Sequence, residues 1–125
     1  MKIFENEHVE IYEYTGDGYE RTMHYGAWRV AILNYTEKFD RITYLERPML
    51  TDEVFVLLSG RGKLILGAEK QEIALEAQKI YNVRCGTWHA IKLTPDAKVL
   101  IVENHNTDRE NSEYTYFDAP LQVEV

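Results

Sequence analysis

The chain is expected to fold as an all-β sandwich or barrel, on three observations. Short stretches alternate apolar and polar residues, glycine and proline turns separate them, and no segment sustains the stripe of an amphipathic helix. At 125 residues the size prior is one domain, expected across residues 1–125. Such a chain buries roughly two thirds of its unfolded surface, enough for a core without cross-links.

Val9 to Tyr14 alternates weakly and ends in the turn Thr15-Gly16-Asp17-Gly18, whose glycines and aspartate accept turn backbone angles. In Gly26 to Tyr35, Trp28, Val30 and Ile32 fall on one side of an extended segment and Arg29, Ala31 and Leu33 on the other, which predicts a strand. A second strand is expected over Arg41 to Glu46, with Pro48 stopping ladder pairing just beyond it. Glu53 to Leu58 is apolar on both faces, so both faces should be covered, the outer one by another layer or a second subunit. The turn Ser59-Gly60-Arg61-Gly62 leads to a strand over Lys63 to Leu66.

Residues Ala68 to Lys79 are nearly all strong helix formers, yet Ile73 and Leu75 alternate with Glu72 and Glu76, which predicts a turn followed by a strand. Tyr81 and Val83, then His89, Ile91 and Leu93, mark two further strands, and Thr94-Pro95-Asp96 turns the chain. Lys98 to Glu103 is a long apolar strand. Asn104 to Ser112 is polar and reads as a loop, and Glu113 to Phe117 resumes alternation as a closing strand.

Two stretches carry the most specific signal. Glu53 opens an apolar run and is followed by six residues and Gly60, and Gly86 is followed by two residues and His89 at the head of another strand. In this the chain resembles the cupins, whose first motif reads G-x5-H-x-H-x3 or 4-E-x6-G and whose second reads G-x5-P-x-G-x2-H-x3-N. The resemblance covers roughly residues 28–103 and implies a cupin-type double-stranded β-helix, a jelly-roll barrel enclosing a cavity. In that family three histidines and the glutamate usually hold a divalent metal. Here the histidine pair of the first motif is replaced by Glu46 and Pro48 at one spacing, or by Arg47 and Met49 at the other. The second motif has Gln78, Arg84 and Leu93 for its first glycine, proline and asparagine.

Glu53 and His89 are therefore the candidate catalytic residues, because imidazole titrates near neutrality and burial sets the charge state of an inward carboxylate. Two ligands are too few for zinc or iron, so no complete metal site and no certain cofactor are expected. A divalent metal, if bound, would be held by Glu46, Glu53 and His89. Arg47 and Arg84 are candidates for a carboxylate or phosphate clamp, and Glu46, Tyr81 and Trp88 are further candidate ligand-binding residues. His24 is isolated, whereas Glu103 and His105 lie two residues apart, where an extended backbone puts both on one face.

Net charge is −7, which opposes binding to nucleic acid or to an anionic membrane, and no run approaches the ~20 apolar residues that span a bilayer. A single cysteine and the lack of a signal-like start point to the cytoplasm. The expected protein is a homodimer that binds a small polar, sugar-like or anionic molecule. An enzyme of the sugar isomerase, epimerase or lyase type, working through Glu53 and His89, is the alternative.

Overall fold

A computed structural model describes residues 1–125. Twelve strands follow one another: β1 (Lys2–Glu5), β2 (Glu10–Tyr12), β3 (Gly18–Tyr25), β4 (Trp28–Asn34), β5 (Ile42–Pro48), β6 (Glu53–Ser59), β7 (Gly62–Leu66), β8 (Gln71–Ala74), β9 (Tyr81–Val83), β10 (His89–Leu93), β11 (Lys98–Asn104) and β12 (Ser112–Leu121). A single 3₁₀ turn, Glu37–Asp40, joins β4 to β5. No helix is long and apolar enough to cross a membrane.

The strands form two five-stranded antiparallel sheets, ordered β3-β4-β11-β6-β9 and β12-β5-β10-β7-β8. Ladder partners such as β4 with β11 and β5 with β12 are distant in sequence, which is the jelly-roll arrangement. The facing sides share one core that includes Leu33, Phe55, Leu57, Leu64, Leu93 and Val99. Behind the second sheet, Ile42, Leu45 and Ile65 form a smaller core closed by Val123.

The helix-prone stretch 68–79 does become turn and strand, with β8 paired to β7 and with Lys70 and Gln78 at positive φ. Pairing to partner strands outweighs local propensity there. Gly60 shows why its turn requires glycine: φ is +70°, and a Cβ would lie 2.5 Å from the Ala97 Cα. Alternation left residues 18–25 unassigned, because β3 is an edge strand with a bulge between Arg21 and Met23 and shows no clean inside–outside pattern. The closing strand is longer than expected and runs to Leu121. An N-terminal hairpin of β1 and β2 forms a two-stranded sheet of its own, with Ile3, Phe4, Val9 and Ile11 exposed.

Candidate functional site

Between the sheets lies a cavity of about 330 Å³. Its floor is set by the pleat. Glu53 opens β6 on the side of Phe55 and Leu57, and His89 opens β10 on the side of Ile91 and Leu93, so both side chains turn inward with the core. They come from different sheets and meet across the barrel, with His89 Nε2 3.0 Å from Glu53 Oε1 and both residues buried. The other ring nitrogen, Nδ1, lies 3.1 Å from the Thr87 carbonyl, which only accepts, so Nδ1–H donates there.

Burial works to discharge the His89 ring, but the hydrogen bond and charge of Glu53 outweigh it and raise the ring pKa to about 9. Burial also raises the Glu53 carboxyl, against the pull of His89. The two groups are thus coupled through the hydrogen bond between Nε2 and Oε1, an arrangement that suits general acid or base work. Glu46 also lines the cavity and stands opposite His89 in the strand register.

A second buried pair shares the floor. Arg29 Nη2 lies 2.6 Å from Glu103 Oε1, and the Tyr19 hydroxyl donates to the same oxygen at 2.7 Å while accepting from Arg29 Nε at 3.2 Å. Burial, followed by the Glu103 charge, holds the Tyr19 phenol well above its ordinary pKa. Arg29 and Tyr19 were not among the sequence candidates. The alternation of β4 already put Arg29 on one side with Ala31 and Leu33, and that side proves to be the inward one.

Four sequence candidates lie outside this cavity. Arg47 follows inward Glu46 and so points the other way, where it stacks 4.3 Å over Trp88 and bonds Glu113 Oε1 at 2.7 Å. Trp88 precedes inward His89 and for the same reason packs on the smaller core. Arg84 is exposed, and together with Tyr81 it lines a separate pocket. The Tyr81 hydroxyl accepts from the Glu76 N–H at 2.9 Å. The Arg47–Arg84 clamp is thus not formed, because one arginine lies on the wrong face of its strand and the other on another surface.

Glu103 and His105 part company as well, since β11 ends at Asn104 and the chain then turns. His105 stacks on His24, with ring centroids 3.7 Å apart and planes 5° from parallel.

The divalent metal implied by the cupin resemblance does not fit these residues. Glu46 and Pro48 take the inward positions of the absent histidine pair, while Met49 is exposed and Arg47 faces away. Both ring nitrogens of His89 are already engaged, and no three His, Cys, Asp or Glu side chains are grouped so as to hold an ion.

No family model and no curated protein matches the chain. Solved structures do. Pac13 from Streptomyces, a nucleoside dehydratase seen with uridine, is similar at a TM-score of 0.63 and 12% identity, over 85% of each chain. A cupin-2 domain protein from Shewanella frigidimarina gives 0.59 at 17% identity, over 74% of this chain and 85% of that one. KdgF from Halomonas gives 0.55 at 15% identity, over 75% and 86%. At these identities the likeness is one of fold.

Proposed function

Because this chain has the cupin fold, we propose that residues 1–125 act as one domain that binds a small polar metabolite, sugar-like or anionic, in the barrel cavity without a complete metal site. The observation that carries this reading is the Glu53–His89 bond across the two sheets, a buried polar pair at the base of a cavity of about 330 Å³. That volume lies at the small end of ligand pockets. Hydroxyl groups of a ligand match a floor where carboxylates and an imidazole supply hydrogen-bonding groups.

The net charge of −7 supports a small molecule over nucleic acid as the partner. The apolar outer side of β6, with Val54 and Val56 half-buried and Leu58 exposed, supports a homodimer. A single cysteine fits a cytoplasmic setting.

Thermal shift and calorimetry against a panel of sugars, sugar acids and nucleosides test the reading. Binding should weaken about tenfold or more in Glu53→Gln and His89→Gln. Ligands that bind both variants as well as the parent protein would place the site elsewhere.

The same pair gives a second reading its footing. An isomerase, epimerase or lyase needs one group to take a proton from carbon or oxygen and to return it, and a buried, hydrogen-bonded Glu–His dyad suits that exchange. Incubating the bound sugar with the protein in D₂O and following its C–H signals by NMR distinguishes the readings. Exchange or product that disappears in Glu53→Gln marks an enzyme, and unchanged spectra with saturating ligand mark a binding module.

A further inference from the structure

The lining of the cavity mouth carries an asymmetry that the floor does not. Five cationic side chains line the cavity, Arg21, Arg29, Lys38, Arg41 and Arg109, and only Arg29 is paired with a carboxylate. The other four form no ion pair, in a protein whose 21 acidic residues outnumber 14 basic ones. They reach the cavity lining at exposed positions from three segments: Arg21 from edge strand β3, Lys38 and Arg41 from the connection between β4 and β5, and Arg109 from the loop before β12.

The contacts these side chains do make leave their charge uncompensated. Arg21 Nη2 reaches the Thr107 carbonyl at 3.4 Å, and Arg109 lies 4.5 Å over the Tyr114 ring with Nη2 3.3 Å from the Tyr116 hydroxyl. Each has a carboxylate just before it in sequence, Glu20, Glu37, Asp40 and Asp108, yet none of the four pairs with it, and Asp108 Oδ1 is already bonded to the N–H groups of Glu110 at 2.9 Å and Asn111 at 3.1 Å. Beside Arg21, the Thr107 hydroxyl lines the cavity, buried and without any hydrogen-bond partner. A buried hydroxyl is seldom left unpaired, and here a ligand oxygen would satisfy it.

We propose that the cavity mouth is an oxyanion subsite. Arg21, Lys38, Arg41, Arg109 and the Thr107 hydroxyl receive the phosphate or carboxylate end of a ligand whose hydroxylated body faces Glu53 and His89. This rests on the small-molecule reading of the floor and adds to it an orientation and a charge. Guanidinium groups pair bidentately with planar oxyanions, and the overall negative charge of the chain is screened beyond ~8 Å at physiological salt.

The test uses the full chain at constant ionic strength with four probes: inorganic phosphate, glucose, glucose 6-phosphate and glucuronate. Phosphate alone should stabilise the protein, and the two anionic sugars should bind about tenfold more tightly than glucose. Arg21→Gln and Arg109→Gln, both at exposed positions, should each reduce that advantage about three- to tenfold, and Arg84→Gln, outside the cavity, should leave it intact.

Preference for only one anionic sugar assigns the group as phosphate or carboxylate and supports the subsite. Equal binding of glucose and its anionic counterparts overturns the subsite while leaving the small-molecule reading in place. An equal loss in Arg84→Gln overturns it too, since the effect would then be one of net charge. Anion binding kept in Glu53→Gln but lost in Arg109→Gln supports the subsite and counts against the floor reading alone.

Discussion

Arg29 on β4 and Glu103 on β11 are register partners, and their side chains close at 2.6 Å within the barrel, with the Tyr19 hydroxyl on the same carboxylate oxygen. Neither charge reaches water to any extent, so each depends on the other.

Removing one member should therefore cost more than the pair contributes. Arg29→Met is expected to lower stability by roughly 3–5 kcal/mol, because Glu103 is left buried and uncompensated. The double variant Arg29→Met with Glu103→Leu should recover most of that loss. Urea denaturation of the three proteins measures both; a double variant no better than the single would show that shape, and not charge, sets the cost.

Stability should fall on the alkaline side. The folded pKa of His89, about 9, stands above its ordinary 6.5, so the folded state binds a proton more tightly than the unfolded chain. The stabilisation is complete below pH 6.5 and disappears as pH rises through 9, with an amplitude of about 3 kcal/mol. Melting curves between pH 6 and 10 should show this fall, and His89→Gln should flatten it.

His105 adds an opposite limit on the acid side. Burial, the stacked His24 ring, Arg29 and Arg21 all hold its pKa below the ordinary value, so the folded state prefers the neutral ring. Its contribution is present above about pH 6.5 and is lost as the ring takes up a proton below it. Two-dimensional NMR of the histidine rings should give His105 the lower titration midpoint relative to a peptide standard. Loop amides 105–111 should exchange faster as that proton binds.

Association is the fourth expectation. Sedimentation should show a species heavier than 14.7 kDa, and Val56→Glu, which sets a charge on the apolar outer side of β6, should return it to monomer. A monomer at every concentration would mean that this face is stable in water by itself.

The sequence was most readable where pleat and turn chemistry agree. Glu53 before Gly60 and His89 after Gly86 mark two strand starts, and the pleat of β6 and β10 turns both residues inward. What resisted reading depends on distance along the chain or on a single step of register. Tyr19, Arg29 and Glu103 meet across separations of 74 and 84 residues, and no local pattern announces such a triad. Arg47 failed as a clamp residue by one position, because adjacent residues of a strand face opposite ways and Glu46 took the inward place. Strand β3 was invisible because neither of its faces is buried throughout.

The ladder between β5 and β12 also bears on how the cavity comes into being. Its pairs join Pro48 to Ser112 and Ile42 to Leu121, so β5 emerges during synthesis long before its edge partner exists. Ser112 and Tyr114 of β12 line the cavity beside Glu46 of β5, so this ladder supplies one of its walls. The enclosure of the floor residues thus rests on a pairing between segments some 64 to 79 positions apart, a non-local closure of the kind that raises contact order.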